Sequence, residues 1–153
     1  MQAIREGLIG VEWPARFQIL PGRPVVILDV AHNPHAAAVL ADNLSNIGFA
    51  SCTHAVFGML ADKDVDGVVR LLAPRIDVWH LAGTGGPRGL DSARLAGIVR
   101  GAGASGEILE YADPVAAFSA AKARAGEGDR ILIFGSFLTV AAVMRYLKTD
   151  APR

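Results

Sequence analysis

Cysteine is almost absent from this chain: Cys52 is the only one in 153 residues. A single cysteine excludes an intrachain disulfide and a cysteine-rich metal site, and it is typical of a protein kept in the reducing cytoplasm. An excess of charge of either sign is also absent, since 15 Lys and Arg balance 15 Asp and Glu. The total charge therefore gives no reason to expect binding to nucleic acid or to a membrane surface.

Long hydrophobic runs are missing as well. The longest apolar stretch without charge lies between Arg130 and Arg145, which is shorter than the roughly 20 residues that span a bilayer. The amino terminus carries Arg5 and Glu6 early and lacks the apolar region of a signal peptide. The positive mean hydropathy of +0.34 therefore indicates a well-filled core.

Three sequence motifs that bind nucleotides or activate a nucleophile are not found. There is no Gly-x4-Gly-Lys-Ser/Thr, so the chain cannot by itself hold a triphosphate in a P-loop. There is no Gly-x-Ser-x-Gly, which excludes a nucleophile elbow. The glycine-rich loop Gly83–Gly89 misses the dinucleotide fingerprint, because Arg88 stands where a glycine is needed.

What is present is an alternation of apolar strands and amphipathic helices in a chain long enough for one domain. Two strands, Phe17–Leu20 and Val25–Asp29, flank a Pro21-Gly22 turn signal and are expected to pair as a hairpin. The elements expected after it are helix 34–47, strand 54–57, helix 65–72, strand 77–81, helix 91/92–99, strand 108–111, a helix from 114, strand 131–134 and a helix to about 147. The pattern predicts a Rossmann-like, doubly wound α/β fold with a mostly parallel sheet of about six strands and an antiparallel amino-terminal edge strand.

Several helix ends carry recognisable signals. Asn33 and Asp113 are predicted N-caps, each followed by a proline that suits the first turn of a helix. Gly48 is well placed to end the first helix. The helix from Pro114 is expected to direct Val115, Phe118 and Ala121 toward the core.

The densest polar segment, Asp29–His35, directly follows the buried-looking strand Val25–Leu28. Open α/β sheets bind ligands at the carboxyl ends of their strands. Asp29 can accept bonds from two hydroxyls and His32 can donate to a phosphate oxygen, and a nucleotide offers both partners. The alternative, equally open on the residues alone, is that Asp29 caps the turn and His32 packs on the next loop. No metal ligands are expected, since His32 and His35 have no clear third ligand nearby.

Three further polar residues stand at predicted loop or helix starts. Arg88 could reach an anion from its glycine-rich loop, although an ordinary flexible loop is the more common use of such a sequence. Lys63, in the triplet Asp62-Lys63-Asp64, could contact a carboxylate or phosphate, although loop charges are usually only solvated. Ser136 could form an anion site with the first N–H groups of the last helix, or act only as its N-cap.

Five motifs occur in an order that resembles the carboxy-terminal domain of bacterial bifunctional dihydrofolate synthase/folylpolyglutamate synthase, a member of the Mur ligase superfamily. The resemblance runs from about residue 4 to 147, and its specificity lies in the ordered set. The motifs are Trp13–Gln18, Asp29–Ala37, Gly58–Asp64, Gly86–Gly89 and Gly135–Ala141.

The resemblance implies an ATP-dependent ligase that joins L-glutamate to dihydropteroate or to a folate. In this family ATP phosphorylates the acceptor carboxylate, the glutamate amine attacks the acyl phosphate, and phosphate leaves. An amino-terminal ATPase domain carries the P-loop, the Mg²⁺ ligands and most of the pterin site. Residues 1–15 are then a lead-in or hinge from that domain and residues 16–150 the carboxy-terminal domain, expected to be a monomer and inactive alone.

The resemblance also implies roles for individual residues. Asp29 resembles the acid that contacts the ribose, and Arg16 the arginine that reaches the nucleotide from the hinge side. His32 matches a histidine near the transferred phosphate and is the expected catalytic residue, since a cation there would stabilise developing negative charge. The residues expected to contact glutamate are Ser136, Lys63 and Arg88.

Two departures and two other interpretations accompany this resemblance. Many relatives have glycine where Ala15 and Val30 stand, and neither change affects a reacting group. A peptidoglycan Mur ligase domain shares the Asp-x-x-His-Asn segment, but the amino-acid recognition motif expected there is missing. A non-catalytic nucleotide-binding α/β module that uses Asp29 and His32 is the interpretation from a different class.

Overall fold

The computed structural model describes residues 16 to 150, so the predicted hinge over residues 1–15 lies outside the described part. Six strands and five α-helices alternate along this part of the chain, with a short 3₁₀ turn at Ala73–Arg75. They are β1 (Gln18–Leu20), β2 (Val25–Leu28), α1 (Pro34–Asn46), β3 (Thr53–Phe57), α2 (Val65–Leu72), β4 (Val78–Ala82), α3 (Ser92–Gly101), β5 (Glu107–Tyr111), α4 (Pro114–Arg124), β6 (Arg130–Phe134) and α5 (Phe137–Asp150).

The strands form one sheet in the order β1-β2-β6-β3-β4-β5. β1 pairs with β2 in antiparallel fashion, and the other neighbouring strands are parallel. The predicted mostly parallel sheet with an antiparallel edge strand is therefore confirmed. The last strand of the chain, β6, lies between β2 and β3 at the centre of the sheet. This order brings together loops that are about a hundred residues apart in sequence.

Two buried layers of side chains cover the two faces of the sheet. Successive side chains of a strand point to opposite faces, and in β2 Ile27 packs with α1, α2 and α3 while Val26 and Leu28 pack with α4 and α5. The first layer contains a contacting aromatic group of Phe57, Trp79 and Phe134. Helices on both faces make the fold doubly wound, as predicted. In the described part of the chain, no helix is long and apolar enough to cross a membrane.

The capping signals are also confirmed. The side-chain oxygen of Asn33 accepts a hydrogen bond from the Ala36 N–H at 2.8 Å, and that of Asp113 accepts one from the Ala116 N–H at 2.9 Å. Asp91 and Ser92 were both possible caps of α3, and the structure shows that Asp91 is the N-cap. Gly48 follows α1 with φ +96°, the left-handed conformation that glycine adopts without a steric penalty.

One predicted core position is wrong. In α4 the buried side chains are those of Pro114, Ala117, Phe118 and Ala121, whereas Val115 is only half-buried. The buried set follows the spacing i, i+3, i+4, i+7, which defines one face of a helix. Val115 is one position away from this stripe, so its side chain lies at the edge of the face.

Candidate functional site

The loops that carry the predicted site residues all leave the carboxyl edge of the sheet. Asp29 follows β2, Ser136 follows β6, and Lys63 lies in the loop after β3. These three strands are neighbours in the sheet, and the carboxyl ends of parallel strands lie along one edge. The parallel sheet therefore collects the sequence motifs on one side of the molecule.

Asp29 is held firmly by the backbone on both sides of it. Its Oδ2 accepts a hydrogen bond from the Phe17 N–H at 3.1 Å, and its Oδ1 accepts one from the Ala31 N–H at 2.9 Å. Its own N–H donates to the Ile133 carbonyl at 3.0 Å. Each carboxylate oxygen has a second lone pair, so Asp29 can still accept a bond from a ligand hydroxyl.

The pKa of the Asp29 carboxyl is raised above its ordinary value. Burial is the largest cause, while the N–H groups of Ala31 and Phe17 and the charge of Arg16 act in the opposite direction. A half-buried carboxyl with its own cation is the environment expected at a ligand site, although structural networks also shift pKa values.

His32 is exposed at the start of α1, and its ring orientation is set by the preceding turn. Its Nδ1 lies 2.9 Å from the Val30 carbonyl oxygen. Because a carbonyl only accepts, Nδ1 carries a proton and Nε2 is left without a partner among the described residues. The alternative that His32 packs on the next loop does not match this exposed position. Asp29, by contrast, does cap the turn, through its bond to Ala31.

Arg16 lies close enough to Asp29 for its charge to act on the carboxylate, and the backbone turns sharply at the next residue. Phe17 has φ +49°, a conformation that is rare for a bulky side chain and often found at functional sites. The Phe17 N–H donates to the Asp29 carboxylate. The exposed residue before it, Arg16, is therefore near that carboxylate, and its charge lowers the pKa of Asp29 against the larger effect of burial. The structure thus places Arg16 where its charge acts on Asp29, and His32 directly after the turn that Asp29 caps. Their roles at a nucleotide site stay predictions.

Ser136 is buried and its hydroxyl is already used within the protein. Its Oγ accepts a bond from the Thr139 N–H at 3.1 Å and lies 3.0 Å from Thr139 Oγ1. Thr139 Oγ1 in turn donates to the Gly58 carbonyl at 3.1 Å, so its single proton is engaged and Ser136 donates to Thr139. The geometry is that of an N-cap, and the expected contact with glutamate stays a prediction. Thr139 was missed in the sequence, although it lies inside the last motif.

Arg88 and Lys63 do not join the Asp29 group by any contact in the described structure. Arg88 Nη2 lies 2.6 Å from Asp62 Oδ2, and this ion pair lowers the pKa of Asp62. Ala61 N–H also donates to the Arg88 carbonyl at 2.7 Å, so the loops after β3 and β4 are tied together. Lys63 lines a shallow cleft between the start of α2 and the end of α3.

Fold and site together define a doubly wound α/β domain with an acid, an imidazole and a guanidinium at the carboxyl edge of its sheet. The chain belongs to the Mur ligase family, because residues 15–137 match the family described as Mur ligase, glutamate ligase domain. The family interpretation of the sequence is thereby confirmed.

Curated relatives and solved structures are similar over nearly the whole chain. The dihydrofolate synthase/folylpolyglutamate synthase of Escherichia coli (strain K12) is 42% identical over 151 residues, which are 99% of this chain and 34% of that protein. The structure of Escherichia coli FolC in complex with DHPP and ADP matches with a TM-score of 0.85 at 37% identity, over 98% of this chain and 35% of that one. The Mycobacterium tuberculosis folylpolyglutamate synthase complexed with ADP gives a TM-score of 0.79 at 28% identity, over 99% and 36%. The chain thus spans about a third of the length of these relatives.

Proposed function

We propose that residues 16–150 act as the glutamate ligase domain of an ATP-dependent ligase that adds L-glutamate to dihydropteroate, to folate polyglutamates, or to both, through an acyl phosphate. The observation that carries the proposal is the group formed by Arg16, Asp29 and His32 at the end of β2. In this group Asp29 can accept hydrogen bonds from hydroxyls, and Arg16 and His32 can donate hydrogen bonds to anionic oxygens. Relatives with the same fold are named as dihydrofolate and folylpolyglutamate synthases, and several were solved with ADP.

In this proposal the three residues bind one nucleotide. The free lone pairs of Asp29 accept the ribose hydroxyls, and Arg16 offsets phosphate charge from the hinge side. His32, when it carries a proton on Nε2, donates to an oxygen of the transferred phosphoryl group. Charge-assisted bonds to developing negative charge are among the largest catalytic contributions in enzymes. ATP supplies the phosphoryl group, and Mg²⁺ and the P-loop belong mainly to an ATPase domain outside residues 16–150.

Ser136, Lys63 and Arg88 are proposed to contact the incoming glutamate. Arg88 would first have to leave Asp62. Both side chains of that ion pair are more than half exposed, and water screens exposed pairs so that they contribute little to stability. A glutamate carboxylate can therefore replace Asp62 at small cost. We further propose that the assembled enzyme works in the cytoplasm as a monomer.

A chimera tests the catalytic proposal. This chain replaces the aligned third of the Escherichia coli relative, and addition of labelled glutamate to dihydropteroate is measured with ATP and Mg²⁺. The chimera is expected to be active and the chain alone inactive. His32→Ala should lower kcat by about 100-fold, the order seen when one stabilising donor is removed, and Asp29→Ala should raise KM for ATP.

The control is His35→Ala, which removes an exposed imidazole one helical turn away and should leave kcat within about twofold. Equal kcat values for the His32→Ala and unsubstituted chimeras would contradict the role of His32. A folded chimera that binds ATP without ligating glutamate would favour the non-catalytic module. Activity with a peptidoglycan precursor instead of a folate would favour the alternative that the chain is a peptidoglycan Mur ligase domain.

A further inference from the structure

A second cluster of reactive side chains lies at the opposite, amino-terminal edge of the sheet. Cys52 and His54 flank the first residue of β3, and Asp129 directly precedes β6, the neighbour of β3. The thiol, imidazole and carboxylate ligand atoms of these three residues lie within 4.8 Å of one another. His54 Nε2 and Asp129 Oδ2 are 3.3 Å apart. Sulfur, nitrogen and oxygen ligand atoms therefore lie in one small cluster.

Behind His54 a chain of hydrogen bonds holds its ring. His54 Nδ1 lies 3.1 Å from His80 Nε2, and His80 Nδ1 lies 3.2 Å from the Tyr111 hydroxyl. The rings of His54 and His80 are stacked, as are those of His80 and Tyr111. Metal-binding histidines almost always donate their second ring N–H to an acceptor, usually a carboxylate, a carbonyl or water, which fixes the ring orientation and the tautomer. Here the acceptor would be His80 Nε2.

The hydrogen-bond chain can run in either direction with the same number of protons. Without a cation, Tyr111 donates to His80, His80 to His54, and His54 Nε2–H to Asp129. With a cation on His54 Nε2, the proton of His54 sits on Nδ1 and donates to His80, whose Nδ1–H donates to the Tyr111 oxygen. A tyrosine hydroxyl can donate and accept, so neither arrangement leaves a ring nitrogen unsatisfied.

Burial fixes this supporting chain. His54 is 2% exposed and His80 is fully buried, so protein groups and not water set the orientation of the His54 ring.

We propose that Cys52, His54 and Asp129 form a Zn²⁺ site, with water as the fourth ligand and His80 and Tyr111 as the supporting hydrogen-bond chain. Thiolate and imidazole select zinc over Mg²⁺ or Ca²⁺, which prefer oxygen ligands. Zinc ligands lie about 2.0–2.3 Å from the ion, so the widest separation in the cluster must close by about 1 Å. The ion links the starts of β3 and β6, and it is independent of the ligase proposal because it lies at the other edge of the sheet.

The test uses the 153-residue chain after treatment with a chelator. Zn²⁺ is titrated in competition with a chromophoric chelator, and one equivalent is expected to bind. Co²⁺ should bind in its place and give the absorption band of a cobalt–thiolate bond. Saturating Zn²⁺ should raise the midpoint of thermal unfolding by about 5 °C or more.

Two conservative variants carry the test, since a substitution of the buried His54 could simply prevent folding. Cys52→Ser should abolish the cobalt–thiolate band, and both Cys52→Ser and Asp129→Asn should weaken Zn²⁺ binding at least about tenfold. Both substituted residues lie at half-buried positions, and far-UV circular dichroism checks that the variants fold. His35→Gln, which removes an exposed histidine elsewhere, should change neither stoichiometry nor affinity.

Absence of saturable binding in the unsubstituted chain would overturn the proposal and leave the cluster as a hydrogen-bond network. Unchanged affinity in a folded Cys52→Ser variant would overturn it too. So would loss of binding in His35→Gln, because that result would assign the ion to His32 and His35 at the start of α1.

Discussion

Asp29 joins two parts of the molecule with a single carboxylate. Oδ2 accepts a hydrogen bond from the Phe17 N–H, just before β1 of the hairpin. Oδ1 accepts one from the Ala31 N–H, in the turn that leads to His32. The arrangement explains why a half-buried acid is kept at a strand end. It also means that a loss of activity in Asp29→Ala can have a structural cause, so stability must be measured in parallel.

Asp29→Ala should lower the free energy of unfolding by about 1–3 kcal/mol, because two N–H groups lose their acceptor. Asp29→Asn, which keeps an acceptor oxygen for one of them, should cost less. Urea denaturation near neutral pH measures both. Equal losses in the two variants would show that the carboxylate charge, and not the acceptor geometry, holds the hairpin.

The raised pKa of Asp29 predicts a pH dependence with a definite sign. Because burial raises its folded-state pKa above the ordinary value of an aspartate side chain, the folded protein binds the proton more tightly than the unfolded chain. Its contribution to stability is therefore present at low pH and is lost as pH rises through the folded pKa. The free energy of unfolding of the unsubstituted protein, relative to Asp29→Asn, should fall as pH rises from about 3.9, the ordinary pKa of an aspartate side chain, toward neutral pH. A constant difference over this range would contradict the raised pKa.

At the level of elements, the step from β6 to α5 depends on Gly135. This residue has φ +114°, and a Cβ there would lie 2.5 Å from the Gly58 carbonyl oxygen and 2.8 Å from the Phe57 ring. The turn is therefore built against the loop after β3, to which Thr139 also donates. Close backbone contact between these two loops sets the position of Ser136.

Gly135→Ala should lower the free energy of unfolding by at least about 2 kcal/mol, from backbone strain and overlap together. The matched control is Gly97→Ala in α3, where a Cβ meets nothing within 4 Å. A glycine in a helix interior is less favourable than alanine, so this variant should gain about 0.5–1 kcal/mol. Chemical denaturation of the two alanine variants checks the pair. Similar effects in both would show that the β6–α5 turn tolerates a side chain.

At the level of the whole molecule, the strand order places β6, near the end of the chain, at the centre of the sheet. β6 is the last strand in sequence, yet it supplies the parallel partner of both β2 and β3. Without it the sheet separates into a two-stranded hairpin and a three-stranded piece, and both core layers lose side chains from β6. An isolated hairpin is marginally stable at best.

Deletion of residues 129–153 should therefore abolish cooperative unfolding and amide protection in β2 and β3. The control is deletion of residues 1–24, which removes the edge strand β1 and should lower stability while keeping a cooperative transition. Hydrogen exchange and chemical denaturation distinguish the two. Amide protection of β3 in the chain that lacks residues 129–153 would show that β3, β4 and β5 fold without β6.

Much of the fold could be predicted from local sequence. The caps at Asn33 and Asp113, the glycine after α1 and the alternation of strands and helices depend on neighbours within about four positions, which the sequence displays directly. The error at Val115 arose at the edge of a helical face, where a shift of one position changes burial. The grouping of Asp29 and His32 was also predictable, because both lie in one seven-residue segment.

What the sequence by itself determined is the set of elements, the family and the segment Asp29–His35 at a strand end. Only the tertiary structure decided which distant residues meet: Arg88 with Asp62, Thr139 with Gly58, and Asp129 with His54. These contacts depend on the order of strands in the sheet and on the insertion of β6 at its centre. Strand order is set by the packing of the whole chain, and no local periodicity or cap encodes it.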